Sequence, residues 1–236
     1  MAETVVYRQI RRPDPSLIES LRGIPVADLH DEMNAVDRKN RVMCAAMRPV
    51  WGGVWFAGPA VTAFNTPGDN LMMHTALYLA QRGDVLVMSN GGVANGALCG
   101  DNAALQAQRN GVLAMVVDGP VRDTDGIRRL EFPVFSTLVS VTRPTKAMPG
   151  TVNLPIVCGG VIVRPGDIVV GDSDGVIVIP PEEVPRIVLA ARARIARDKL
   201  MQQAIADGST LFQQLGGEAA LEKLGAVIHD GTWQDA

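Results

Sequence analysis

Cysteine is scarce in this chain: Cys44, Cys99 and Cys158 are the only three in 236 residues, with no CxxC and no Cys/His pairing at zinc spacing. An odd, unclustered set excludes a disulfide framework and a structural zinc site, and a reducing cytoplasm is the simplest setting. Surplus basic charge is also missing. The 22 Lys and Arg are outnumbered by 25 Asp and Glu, for a formal net charge of −3, so the chain carries no footprint for nucleic acid. No apolar run reaches the length that spans a bilayer, and MAETVVYRQIRR has no apolar segment of signal-peptide type, so no membrane partner is expected. The chain shows no GxGxxG loop after a first strand, which leaves methyl transfer unsupported, and no repeat of solenoid length. What is present is globular composition, 47% hydrophobic and 20% charged. That is enough for one sizeable core, so residues 1–236 are expected to form a single domain, with 209–236 as a C-terminal extension.

The most informative stretch is GDNAALQAQRNGVLAMVVDGPVRD, from Gly100 to Asp123. Ala103 to Gln108 are good helix formers that open just after Gly100, Asp101 and Asn102 and close at Asn110 and Gly111. The free N–H groups and positive dipole of such a helix start can receive a small carboxylate or phosphate. Asp101 as an ordinary N-cap is the plain alternative. Val112 to Val117 predicts a strand buried on both faces, breaking at Asp118, Gly119 and Pro120 into a turn that carries Arg122 and Asp123. Functional loops of α/β sheets gather at that carboxyl edge. Adjacent side chains usually diverge, so Arg122 and Asp123 are each expected to find a separate partner. The Arg offers a planar fork for a carboxylate or enolate, the Asp a hard oxygen for Mg²⁺ or Mn²⁺. A charged surface turn, with Asp125, Arg128 and Arg129 alongside, is the competing reading.

Elsewhere the pattern predicts short helices at 13–23 and 27–33, a strand ending at Phe64, and a helix from about Leu71 to Gln81 with His74 one turn in. Strands follow at Asp84 to Ser89, Pro133 to Ser136 and Ile156 to Val163. Ile168 to Gly171 and Val176 to Ile179 form a hairpin with a DG turn. The Gly-rich loop from Asn90 to Gly100 suits close backbone approach to a ligand. A long helix from about Glu182 to Asp207 carries an apolar stripe of Val184, Ile187, Val188, Ala191, Ile195 and Leu200, which predicts packing on a neighbouring copy. A short helix is expected at Glu218 to Leu224. Cys99 reads as a small buried thiol. Lys146 and Lys199 lie far in sequence from the anion turn, so no Schiff-base lysine is expected.

GDN at Gly68 to Asn70, GDNAA at Gly100 to Ala104, VVDGPVRD at Val116 to Asp123, FPVFS at Phe132 to Ser136 and VRPGDIVVGDSDGVIVIP at Val163 to Pro180 occur in one order. That combination resembles the 4-hydroxy-4-methyl-2-oxoglutarate and 4-carboxy-4-hydroxy-2-oxoadipate aldolases, class II pyruvate aldolases of aromatic-compound catabolism that share a fold with the ribonuclease E inhibitor RraA. The resemblance covers roughly Ile24 to Gly208. It implies an α/β fold of compact, layered β/β/α, RraA-like (swivelling-domain) type with a long C-terminal helix, assembled as a trimer or hexamer with the site at subunit interfaces.

By the same resemblance Asp123 is the ligand of a divalent metal, Mg²⁺ or Mn²⁺, and Arg122 holds the pyruvate moiety. Gly100, Asp101, Asn102 and Ala103 form the turn that receives the substrate carboxylate, with Asp101 the acid near a metal-bound water. Asn70 and His74 lie near the pocket. RraA-type regulators lack the Asp after the Arg, so the Arg122-Asp123 pair favours an enzyme. Where many of these aldolases place a Glu on the long helix, this chain has Asp198, one methylene shorter, as the candidate interface acid. The expected activity is retro-aldol cleavage of a 4-hydroxy-2-oxo acid to pyruvate, with oxaloacetate decarboxylation at the same site. Two alternatives remain open: a decarboxylase only, or a non-enzymatic regulator that binds a partner protein.

Overall fold

The computed structural model describes residues 3–235. In chain order the elements are β1 Val5–Val6, α1 Pro15–Ser20, α2 Val26–Asp31, α3 Ala35–Arg41, β2 Arg48–Pro49, β3 Phe56–Asn65, α4 Leu71–Leu79, β4 Val85–Ser89, α5 Asp101–Asn110, β5 Ala114–Val121, α6 Thr124–Leu130 and β6 Val134–Val139. They continue with β7 Gly150–Val152, β8 Ile156–Cys158, β9 Val161–Val163, β10 Ile168–Asp172, β11 Gly175–Ile179, α7 Val184–Ala206, α8 Leu211–Gln214 and α9 Gly217–Lys223. The chain divides into two compact units at Ala191 and Arg192.

In the first unit β3, β4, β5 and β6 run parallel at the centre of a sheet ordered β1-β7-β3-β4-β5-β6-β2. Strand alternation sorts the side chains into two layers. Leu86, Met88, Met115 and Val117 face helices α4, α5 and α6, packing on Met73, Ala76, Leu77, Ala104, Ala107 and Ile127. Val85, Val87, Ala114 and Val116 face the other way, against Cys158, Val161, Val163, Val169, Val176 and Val178 from the later hairpins. β3 joins the layers: Phe56 to Pro59 pair with β10, while Ala60 to Phe64 pair with β4. The result is helices on one face and strands on the other, a β/β/α arrangement.

The predicted hairpin is present, with β10 and β11 antiparallel and Gly175 at φ 157. The stretch predicted as one strand from Ile156 to Val163 is instead the tight hairpin β8–β9, turned by Gly159 and Gly160 at positive φ. β5 also runs further than its pattern predicted. It passes through Asp118, Gly119 and Pro120 to Val121, with a register shift between Val117 and Pro120. The irregularity is stable because side chains replace the ladder: Thr137 Oγ1 accepts from Gly119 N at 2.9 Å and Ser136 Oγ donates to Gly119 O at 2.9 Å. Residues after Asp123 are not a plain charged turn but helix α6, where Arg128 pairs with Asp125 at 2.8 Å. Helix α3, which no sequence signal singled out, starts on the Asn34 side chain as N-cap.

The start of β4 is held by a buried charge pair. Asp84 is fully buried and takes Arg12 Nε at 2.9 Å and Nη2 at 2.7 Å, plus the Gln81 N–H at 2.7 Å. Arg12→Ala would leave that carboxylate buried with one donor, and is expected to cost about 3 kcal/mol. Urea unfolding midpoints for the two proteins check this; an unchanged midpoint would show the pair to be energetically idle.

The stripe of α7 is buried at Val184, Ile187, Val188 and Ala191, whereas Leu200 is 73% exposed. In the second unit α9 is the short helix expected at Glu218 to Leu224, α8 precedes it without having been anticipated, and Leu211, Phe212, Leu215, Leu224 and Trp233 are exposed.

Candidate active site

The loops after β4 and β5 leave the same sheet edge, and the backbone staples them together. Cys99 forms an isolated bridge to Val121, Arg122 N donates to Cys99 O at 3.0 Å, and Leu98 N donates to Pro120 O at 2.8 Å. The amino end of α5 is thereby set against the end of β5, so the two halves of the Gly100 to Asp123 motif meet. They line one cleft of about 380 Å³ with Asn70, His74, Asp101, Asn102, Ala103, Arg122 and Asp123 on its walls.

Gly100 is the N-cap of α5 and Asp101 its first residue, so Asp101 is not the N-cap that the plain reading had it be. Two glycines make room for the acids. A Cβ on Gly100 would lie 2.4 Å from Asp123 Oδ2, and one on Gly126 would lie 2.4 Å from Asp101 Oδ2. Arg122 and Asp123 do not diverge: Arg122 Nε donates to Asp123 Oδ2 at 3.2 Å. The reason is local. Asp123 sits in the left-handed region, φ 56 and ψ 38, which turns the chain and swings its carboxylate back toward its neighbour.

Asn70 is buried, donates through Nδ2 to Leu98 O at 3.0 Å, and leaves its Oδ1 without a hydrogen-bond partner. His74 is held below its ordinary pKa by burial and by the charge of Lys146, against the opposing pull of Asp69. Cys99 lines the cleft, but its thiol is pushed up to about 12 by burial and by Asp123, which removes it as a nucleophile at neutral pH.

Sequence reasoning overlooked Arg143 and Pro144 and set Lys146 aside, yet all three line the cleft. The expectation that Lys146 lies away from the anion turn is corrected: distance in sequence is closed by the loop after β6, which leaves the edge that the loops after β4 and β5 share. The signal was available in VTRPTK, a basic, proline-punctuated segment at the carboxyl end of a parallel strand. Asp198 lies in the second unit, with its carboxylate 3.7 Å from Arg194.

Residues 26–178 match the RraA-like family, described as Aldolase/RraA. The chain belongs to this family, and its fold is the RraA-like α/β fold. It is 34% identical over 190 residues to a protein of Halalkalibacterium halodurans named "Putative 4-hydroxy-4-methyl-2-oxoglutarate aldolase", covering 80% of this chain and 89% of the relative. Among solved structures it resembles Streptomyces coelicolor RraAS2, described as an unusual member of the RNase ES inhibitor RraA family, with TM-score 0.75, 27% identity, and 82% and 99% of the two chains covered. An uncharacterised protein from Pseudomonas syringae pv. tomato superposes with the same TM-score of 0.75 at 26% identity, covering 86% and 98% of the two chains.

Proposed function

We propose that this chain is a divalent-metal-dependent pyruvate aldolase, a carbon-carbon lyase that cleaves a 4-hydroxy-2-oxo di- or tricarboxylic acid to pyruvate and a second oxo acid. The candidate substrates are 4-hydroxy-4-methyl-2-oxoglutarate and 4-carboxy-4-hydroxy-2-oxoadipate, with oxaloacetate decarboxylation at the same site. The observation that carries this reading is the meeting of Arg122, Asp123, Asp101 and the amino end of α5 in one cleft. The aldolase name of its relatives supports it.

The donor chemistry of the cleft fits Mg²⁺ or Mn²⁺. Asp123, Asp101 and the unpartnered Asn70 Oδ1 are hard oxygens, and the missing Cβ of Gly100 lets the Asp123 carboxylate close against the turn. Among the described residues no group of three or more His, Cys, Asp or Glu is placed to hold a metal ion, so the reading requires a cation that keeps waters and takes oxygens from its substrate. When bound, the cation supplies Lewis-acid stabilisation of the charge that develops on the 2-keto oxygen. Asp123 would hold it.

The remaining work falls to protein groups. The N–H groups of the Gly100 to Ala103 turn receive the C1 carboxylate of the substrate. Arg122 lies against the pyruvyl half and stabilises the enolate left when the C3–C4 bond breaks. Asp101 takes the C4 hydroxyl proton as that bond breaks, and a proton is returned to C3 to release pyruvate. Asn70, the N-cap of α4, and His74, within that helix, orient the bound acid. In this reading the protein is cytoplasmic, its copies assemble as a trimer or hexamer with the cleft at their interfaces, and Asp198 of a neighbouring copy supplies a further carboxylate.

Pyruvate release from the two hydroxy-oxo acids and from oxaloacetate, with Mg²⁺, with Mn²⁺ and with EDTA, tests the proposal. Release that EDTA abolishes is the expected result, and activity on oxaloacetate alone would reduce the reading to a decarboxylase. No release from any acid would sink it and favour a regulator of the kind named for the Streptomyces neighbour. Because Lys146 lines the cleft, borohydride reduction in the presence of pyruvate is the companion control. A pyruvyl adduct on Lys146 would replace the metal reading with a Schiff base.

A further inference from the structure

The loop after β6, from Ser140 to Pro149, forms a strap along the wall of the cleft through Arg143, Pro144 and Lys146, and it is pinned on both sides of its two cations. On one side Gly96 N donates to Thr142 Oγ1 at 3.0 Å and Ala97 N to Thr142 O at 3.0 Å. On the other, Asp69 gathers the chain. Asp69 is 1% exposed, and its carboxylate accepts from Thr145 Oγ1 at 2.7 Å, Ala147 N at 2.6 Å, Met148 N at 3.1 Å and Leu71 N at 2.8 Å. Thr145 N also donates to Gly68 O at 2.8 Å and Asn70 N to Thr145 O at 3.2 Å, so the strap and the start of α4 form one backbone unit. Burial pushes the Asp69 carboxyl up, and these hydrogen bonds overcome it and hold the group below the usual range.

Between the two anchors stand Arg143 and Lys146, both lining the cleft that holds Arg122. Three cations, Arg122, Arg143 and Lys146, therefore face two acids, Asp101 and Asp123. Arg122 is engaged by Asp123, and a monocarboxylate would leave the strap cations without a counter-charge.

We propose that Asp69 is a positioning residue that locks the strap in place, and that Arg143, with Lys146 beside it, is held there as the receptor for the second carboxylate of the substrate. The proposal rests on the oxo-acid reading above, whose two hydroxy-oxo acids both carry a carboxylate beyond C4, and assigns the residues that receive it. Arg143 supplies the planar fork and Lys146 a point charge. Asp69 touches no substrate; it acts by fixing where those two groups stand.

Calorimetric binding of 2-oxoglutarate and 2-oxopentanoate, which differ by a carboxylate in place of a methyl, tests it in wild type, Arg143→Ala, Arg143→Lys and Asp69→Asn. Wild type is expected to favour the dicarboxylate by about 10- to 100-fold. Arg143→Ala should bring that ratio near one, Arg143→Lys should recover part of it, and Asp69→Asn should lower it although Arg143 is still present. In steady state with 4-hydroxy-4-methyl-2-oxoglutarate, the loss in Arg143→Ala should fall on KM more than on kcat. A wild type that does not discriminate, or variants that weaken both ligands in proportion, would overturn the proposal. Arg143 is exposed, so its variants fold whether or not Asp69→Asn does. Discrimination lost on substitution in a protein that releases no pyruvate would retain the carboxylate receptor and discard the aldolase reading.

Discussion

Asp123→Asn is expected to lower kcat/KM for pyruvate release by about 10³-fold, the scale of losing a cation that contributes several kcal/mol to the transition state. Asparagine is the informative substitution because Asp123 holds a left-handed backbone, φ 56 and ψ 38. Asn tolerates that conformation nearly as well as Asp, whereas Ala adds strain of its own. The side chain is also partly exposed, at 43%, so the fold should persist with an unchanged melting temperature. Metal-induced stabilisation should vanish with activity, since a cation that binds the native state raises its stability only while the site exists. Thermal melts with and without Mg²⁺ read this directly. Full activity in Asp123→Asn, or an undiminished shift with Mg²⁺, would place the metal elsewhere.

Gly100→Ala should reduce kcat/KM by about 10²-fold without unfolding the protein, the cost of misplacing a reacting group by roughly an ångström. Alanine is acceptable to the backbone there, because φ −145 and ψ −167 are extended geometry open to any residue. The added methyl instead meets Asp123 Oδ2 at 2.4 Å and Arg122 Cγ at 3.3 Å. Both are side-chain atoms of partly exposed residues, so they move aside and the strain is small. What is lost is the alignment of the carboxylate with the amino end of α5. Wild-type turnover with intact metal binding would show that the alignment tolerates that displacement and would weaken the role given to this turn.

Local chemistry made much of this protein legible in its sequence. The helix over 101–110 was marked by its good helix formers and by Gly111, which ends it at φ 77. The strands buried on both faces announced themselves as apolar runs, and the DG turn announced the β10–β11 hairpin. These signals act within a few residues, through backbone preference and side-chain period. The Gly100 to Asp123 motif was legible as two halves for the same reason.

Other features depended on groups far apart in sequence. The passage of β5 through Asp118-Gly119-Pro120 needed Ser136 and Thr137 to satisfy Gly119, 17 and 18 residues on. The pairing of Arg122 with Asp123 needed a left-handed turn that ordinary neighbour geometry does not foretell. The entry of Arg143 and Lys146 into the cleft needed Asp69, more than 70 residues earlier, to pin their loop.

By itself, then, the order of residues marked most of the elements and the two-sided burial of the central strands, because those follow from local propensity and periodicity; the roles expected of Asp101, Arg122, Asp123 and the Gly100 turn came from the family resemblance. Only the tertiary structure decided that the turn, the Arg122-Asp123 pair and the basic strap share one cleft. Parallel strands bring the loops after β4, β5 and β6 to the same edge, and that juxtaposition is a property of strand order, which no local pattern encodes.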